Sequence, residues 1–168
     1  NGGFVSKELQ NLKGSEQYNF TGPFGHFVFD EEKHQDVILM GAGSGIAPYL
    51  SFLEYINDKK LDTKVKLFSS NKTEKDIIGK SVMELEAEKN DNIELYFNLT
   101  REEDNISWKD KKGRIDQEYL KEKISNLTDK YFFLCGPTEF VKNMKQILLE
   151  LGIDKTRIKQ EAYGWSNK

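Results

Sequence analysis

Hydrophobic and polar positions follow two rhythms along this chain, and the switches between them mark its elements. Val37–Met40 is an uncharged run (VILM) that stops abruptly at three glycines, Gly41, Gly43 and Gly45. From Ile46 the apolar positions recur at Leu50, Leu53 and Ile56, spaced four, three and three, which predicts a helix. Asp36–Leu53 therefore reads as buried strand, tight turn and helix, with the turn at the strand's carboxyl end. The alternation continues downstream. Val65–Ser70 predicts a second strand, Gly79–Lys89 a helix with a weak apolar stripe, and Ile93–Asn98 a third strand. A polar loop from Thr100 to Arg114 contains Trp108, and Asp116–Ile124 follows as a helix with Asp116 as a natural N-cap. Tyr131–Cys135 (YFFLC) predicts a fourth, buried strand stopped by Gly136-Pro137. Phe140, Met144, Ile147, Leu148 and Leu151 share one face of the next helix, which ends near Gly152. Arg157–Glu161 completes the pattern as a fifth strand, with an aromatic tail at Tyr163 and Trp165.

Strands alternating with helices demand right-handed crossovers, so the predicted class is α/β. The expected architecture is an open five-stranded parallel sheet with helices on both faces. In such sheets ligands bind at the carboxyl ends of the strands, near the switch point. The sharp glycine turns after Met40 and after Cys135 both fall on that edge.

The amino-terminal part has a different texture. Gly2–Leu12 opens with two glycines and continues as a short helix, and Gln17–Phe29 (QYNFTGPFGHFVF) holds two strand-like pieces around a Gly-Pro-Phe-Gly turn. The charged connector Asp30–Gln35 marks the predicted domain boundary, giving residues 1–33 and 34–168 as the two units. The opening residues, Asn1-Gly2-Gly3, are expected to continue from an upstream portion of a longer polypeptide.

Composition narrows the function classes. With 168 residues the chain suits one complete domain and a piece of a second. A formal net charge of −3 is too nearly balanced to hold nucleic acid or an anionic membrane surface. One cysteine, Cys135, excludes an internal disulfide framework and any multi-cysteine metal or iron–sulfur site in this chain. A reducing, cytoplasmic setting is the expectation. No apolar run approaches the roughly 20 residues that span a bilayer. His26 and His34 show no metal-ligand spacing and are expected to be ordinary surface or turn residues.

Candidate chemistry centres on Gly41, Ala42, Gly43, Ser44 and Gly45. A bend there needs glycine both for its sharpness and for close approach of a ligand. The helix start leaves free N–H groups and partial positive charge, which attract phosphate. Ile46 stands where a strict G-x-G-x-x-G has its last glycine, so plain turn chemistry is the competing reading. Gly3, Val5 and Ser6 form a second possible phosphate seat at the first helix. Coenzyme choice turns on the ribose 2′ position, where an NAD-preferring site usually places an acid after the second strand. That strand ends Ser69-Ser70-Asn71-Lys72 without a carboxylate, so Asn71 and Lys72 would tolerate a 2′-phosphate. Lys109-Asp110-Lys111-Lys112 beside Trp108 makes a basic spot suited to that phosphate, to an acidic partner, or only to solvent.

Five of these stretches, in order, resemble the ferredoxin–NADP reductase superfamily. GAGSGIAP (Gly41–Pro48) resembles its GGGTGIAP pyrophosphate loop, and CGP (Cys135–Pro137) its nicotinamide-side turn. GGFVS (Gly2–Ser6) is similar to its flavin-phosphate helix start, GPFG (Gly22–Gly25) to the turn ending its flavin barrel, and EAYGW (Glu161–Trp165) to its acidic-plus-aromatic finish. The resemblance implies an FAD-dependent reductase in which NAD(P)H passes a hydride to flavin. Electrons then leave for a ferredoxin, an iron–sulfur centre or a haem. It also implies that residues 1–33 are the end of an antiparallel FAD-binding barrel, whose Arg-x-Tyr-Ser motif would lie upstream of Asn1. On this basis Cys135, Gly136 and Pro137 would shape the nicotinamide pocket, with Pro48 an outer contact. Gly3, Val5 and Ser6 would touch flavin phosphates, Glu161 would tune the flavin, and Tyr163 would shield it. Ser70, Asn71, Lys72 and the pair Thr100-Arg101, which is similar to a phosphate-gripping Ser-Arg, would hold the ribose end. The coenzyme expected from these residues is NADPH, with NADH as the alternative. No metal is expected. A non-catalytic nucleotide-binding interaction subunit is the competing class, because fold does not fix function.

Overall fold

The computed structural model describes residues 4–15, 17–19, 21–22, 24–102 and 107–164. Six strands form one wholly parallel sheet: β1 (Asp36–Ala42), β2 (Lys64–Asn71), β3 (Ile93–Leu99), β4 (Lys111–Lys112), β5 (Tyr131–Pro137) and β6 (Ile158–Tyr163). Their order is β4-β3-β2-β1-β5-β6, so the chain reverses direction across the sheet between β1 and β5. Five helices accompany it among the described residues: α1 (Phe4–Gln10), α2 (Ala47–Asp58), α3 (Lys80–Glu88), α4 (Gln117–Lys123) and α5 (Thr138–Glu150).

The α/β class holds, but the sheet has six strands where five are expected. The extra one, β4, is two lysines paired Asn98↔Lys111 and Leu99↔Lys112 inside the predicted polar loop. Two residues joined by backbone alone carry no side-chain period, so no pattern announces them. Elsewhere the boundaries shift by one or two residues. Strand β5 runs through Gly136 to Pro137 rather than stopping before them. The Asp116 carboxylate caps α4 as expected, accepting the Tyr119 N–H at 2.8 Å.

Strand β1 is apolar throughout because both of its faces are covered, as parallel sheets require. Val37 and Leu39 join Leu53, Ile56 and Met83 under α2 and α3, while Ile38 and Met40 join Leu120, Met144 and Leu148 under α4 and α5. Tyr49 on α2 is fully buried at the switch point, its hydroxyl 2.7 Å from the Phe133 carbonyl and 3.1 Å from that of Met40. It ties α2 to both strands that flank the switch.

The strand-like pattern of residues 17–29 is not borne out, since none of its described residues lies in a strand. Pro23 of the predicted turn lies outside the described residues. Alternation is still visible, with Phe27 and Phe29 turned in and Val28 59% exposed. Among its described residues none joins a sheet edge, and Phe27 and Phe29 pack against other rings instead. Phe27 meets Phe133 edge-on at 5.4 Å, and Phe29 lies 5.6 Å from Phe52 of α2.

Of the surface-or-turn expectation for His34, the turn holds, its N–H closing onto the Asp30 carbonyl, but the surface does not: the residue is 2% exposed. Its ring stands edge-on to Phe133 (5.0 Å) and Tyr131 (4.9 Å), and its Nδ1 accepts the Asp30 N–H at 2.9 Å. Asp30 Oδ1 accepts the Glu32 and Lys33 amides, so the connector is a compact turn closed over a neutral imidazole. Burial pushes the His34 pKa below 6.5, against the pull of Asp30. The unfolded chain then takes up the proton first as pH falls. Stability from the neutral ring is whole above about pH 6.5 and drains away below it. The thermal midpoint is therefore expected to fall between about pH 7 and pH 5 more steeply in the wild type than in His34→Gln. Parallel slopes in thermal melts of the two proteins would contradict this.

Candidate functional site

The site is built where β1 turns into α2. After Ala42 the chain makes one tight turn, Gly43–Ile46, and α2 starts at Ala47 with Pro48 in its first turn. A proline costs no hydrogen bond there. Gly43 has φ +54°, and no atom lies within 4 Å of where its Cβ would stand, so the loop's upper surface is open. Gly45 is beneath it, where a Cβ would sit 2.2 Å from the Cys135 carbonyl oxygen. Gly136, at φ +151°, faces the Ala42 side chain from the other strand. These glycines let the tip of β1 and the tip of β5 touch, with an open backbone cradle above the contact.

A cavity of about 550 Å³ lies over this cradle, along the carboxyl ends of the strands. Ala42, Gly43 and Ser44 form its floor. On the β2–β3 side its wall includes Ser70, Asn71, Lys72, Asp76, Thr100 and Arg114. Pro137, Glu139, Phe140 and Tyr163 close it on the β5 side. Of the residues expected at a ligand, the structure thus gathers Ala42, Gly43, Ser44, Ser70, Asn71, Lys72, Thr100, Pro137 and Tyr163 around one space. Gly41, Gly45 and Gly136 support it from below. Pro48, Arg101, Cys135 and Glu161 do not form its wall. Gly3 and Trp165 lie outside the described residues, and for Val5 and Ser6 only their place in α1 is described.

The wall on the β2–β3 side is stiff. Beyond the strand ends the Asn71 carbonyl accepts both the Thr100 N–H (2.9 Å) and its hydroxyl (3.1 Å), and the Lys72 carbonyl accepts the Arg101 N–H at 2.9 Å. Asn98, 1% exposed, donates from Nδ2 to Ser70 Oγ (3.0 Å) and to the Gly113 carbonyl (3.1 Å). On the other side the Tyr163 hydroxyl accepts from Ser44 Oγ at 2.8 Å and donates to the Ala42 carbonyl at 3.0 Å. The serine expected to reach a phosphate thus has its hydroxyl proton engaged by Tyr163.

Cys135 is 4% exposed and pairs in register with Gly41 and Glu161. Burial pushes its thiol up to about 11, with a smaller push from Glu161. It is a neutral, enclosed thiol, which excludes a thiolate nucleophile at physiological pH. Asp76 and Arg114 escaped the sequence reading. The carboxylate lies past the strand tip, but the Thr73-x-x-Asp76 spacing that fixes it is a recognisable capping signature. Among the described residues no cluster of His, Cys, Asp or Glu is arranged to hold a metal. None of the described helices is long and apolar enough to cross a membrane.

Residues 39–146 match the oxidoreductase NAD-binding domain family. The chain belongs to that family. The matched span contains the cradle, both walls of the cavity except Tyr163, and the tip of β5. The chain is 32% identical over 149 residues to NADH-cytochrome b5 reductase 2 of Meyerozyma guilliermondii, covering 87% of this chain and 50% of the relative. To the flavohemoprotein of Bacillus subtilis it is 30% identical over 166 residues, 96% of this chain and 41% of that protein. The cytochrome b5 reductase domain of Ulva prolifera nitrate reductase has the same fold. It superposes with a TM-score of 0.81 at 23% identity, covering 95% of this chain and 64% of that one. The chain spans about half the length of the curated relatives it matches. The expected place in the ferredoxin–NADP reductase superfamily stands on these similarities, which include a ferredoxin-NADP+ reductase from Plasmodium falciparum in fold.

Proposed function

We propose that this chain is the NAD(P)H-binding module of an FAD-dependent reductase that feeds electrons to a haem or iron–sulfur partner. One observation carries the reading: a cavity the size of a dinucleotide site lies across the switch point, over a glycine cradle open to a ligand. The cradle's backbone amides and Ser44 would take the pyrophosphate. The β5 tip, Cys135 to Pro137, would set the nicotinamide's height, with Cys135 acting through its bulk and its carbonyl rather than as a nucleophile. Pro48 would border that ring from α2. The β2–β3 tips would take the adenosine end, with Arg101 as an outer charge. When bound, the nicotinamide supplies a hydride and the flavin accepts it, while the protein contributes placement and exclusion of water.

Residues 1–33 are read as part of a flavin-binding barrel, with Gly3, Val5 and Ser6 near the flavin phosphates and Glu161 and Tyr163 near its ring. The relatives' names, NADH-cytochrome b5 reductase and flavohemoprotein, favour a haem acceptor over a ferredoxin. A cytoplasmic setting belongs to the same reading.

The test is a thermal melt with and without coenzyme. A ligand at a hundred times its Kd adds about 2.7 kcal/mol, which for a domain of this size raises the midpoint by roughly 5–10 °C. No shift with either NADH or NADPH at millimolar concentration would sink the reading. Ferricyanide reduction by the full-length polypeptide with FAD then separates a reductase from a nucleotide-binding subunit without turnover.

A further inference from the structure

We propose that β6 is a self-association edge: two copies of this chain pair their β6 strands antiparallel about a two-fold axis at Gln160, joining their sheets into one. The inference does not rest on the coenzyme reading. Of the roles named there it reassigns only Glu161, which stands outside the cavity wall.

The sheet ends in β4 on one side and β6 on the other. The β4 edge is guarded, because it is two residues long and both are lysines. The β6 edge is left open. It runs from Ile158 to Tyr163 without a proline and pairs residue for residue with β5, so no bulge turns it aside. Gln160, Glu161, Ala162 and Tyr163 are exposed, and among the described residues β5 is its only strand partner. The outward N–H and C=O groups of such a strand are a template for another.

A second copy fits that template in one register. Facing residues of an antiparallel pair turn their backbone groups both toward the partner or both away, so a two-fold pairing centres on a residue. The longest ladders within Ile158–Tyr163 centre on Gln160 or on Glu161. Centring on Glu161 sets that carboxylate against its own copy. Centring on Gln160 sets Lys159 of each copy against Glu161 of the other, and Ile158 against Ala162. Opposite charges facing across strands stabilise the pair, and like charges oppose it. Neither Lys159 nor Glu161 makes an ion pair among the described residues, so both charges are available to a partner. The formal net charge of −3 sets little long-range repulsion between copies. A ladder this short belongs to the weak, transient class of contacts, and a Kd of about 10–100 µM is expected.

Sedimentation equilibrium of the 168-residue chain, from about 1 to about 500 µM, tests the pairing. The wild type is expected to pass from the mass of one chain to that of two. Lys159→Glu sets carboxylates against each other on both sides of the axis and should weaken the dimer at least about tenfold. Glu161→Lys should do the same with ammonium groups. The double exchange, Lys159→Glu with Glu161→Lys, restores opposite charges and should return to within about threefold of the wild type. Circular dichroism of each variant keeps loss of the dimer distinct from loss of the fold. A wild type that stays monomeric throughout, or a folded double exchange that fails to recover, would overturn the proposal. So would association unmoved by either single variant, which would place the contact on another face, such as that of the exposed Phe4 and Phe24.

Discussion

Replacing Gly45 with alanine is expected to destabilise the fold by about 4 kcal/mol or more, at the far end of single-residue effects. The added Cβ would lie 2.2 Å from the Cys135 carbonyl oxygen, 2.5 Å from its carbonyl carbon and 2.7 Å from the Gly136 Cα. All three are backbone atoms of a central strand, so no side chain can swing aside to make room. Relief requires the loop to lift off β5, which breaks the contact between the two strand tips. For a domain of this size the midpoint should drop by roughly 10 °C or more. Gly43→Ala is the internal comparison. Its Cβ meets nothing within 4 Å, and the cost is the left-handed conformation at φ +54°, about 1 kcal/mol. That protein should stay folded yet bind coenzyme less well, because the new methyl group occupies the cradle. Thermal and urea unfolding of the two variants decide the matter. If Gly45→Ala melts within about 2 °C of wild type, or above Gly43→Ala, the close approach drawn here is wrong.

This pair of glycines also shows what a sequence can and cannot disclose. The uncharged run Val37–Met40 and the helical spacing after it specified strand, turn and helix, because burial on both faces and a period of 3.6 leave direct marks. They pointed equally well to the sheet edge over which the cavity lies. They did not reveal that Gly43 serves the open cradle while Gly45 serves the neighbouring strand, since that depends on what packs beneath. Asp76 was hidden for a related reason. It enters the cavity from a capped turn past the end of β2, and turn residues carry no periodicity. Cys135 was placed on the right strand though two residues short of its end, and its alignment with Gly41 and Glu161 is a property of the assembled sheet. Two-residue β4 and the segment 17–29, none of whose described residues lies in a strand, complete the pattern. Short pairings are invisible to periodicity, and a strand-like run becomes a strand only where an edge receives it.

The second large effect is expected at Phe133, where truncation to alanine should cost about 3–5 kcal/mol and loosen a segment distant in sequence. Phe133 is fully buried on β5 and receives three rings edge-on: Phe27 at 5.4 Å, His34 at 5.0 Å and Phe52 at 5.6 Å. Two of these belong to the stretch before β1, none of whose described residues lies in a strand. Edge-to-face contacts of this kind are worth about 0.5–1.5 kcal/mol each beyond the area they bury. Deleting the ring thus removes the shared anchor and leaves a cavity between α2, β5 and the connector. Phe133→Ala is expected to melt roughly 10–15 °C lower and to be cut by protease within residues 24–33 well before global unfolding. Phe133→Leu keeps most of the volume and should cost less than half as much. A double-mutant cycle with Phe27→Ala should return a coupling of about 0.5–1.5 kcal/mol, because the two rings share one contact. If Phe133→Ala leaves the connector as protease-resistant as in the wild type, or if the two truncations add without coupling, the segment is anchored elsewhere. Residues 24–33 would then be positioned independently of the sheet's core, and the aromatic cluster would have no part in joining them.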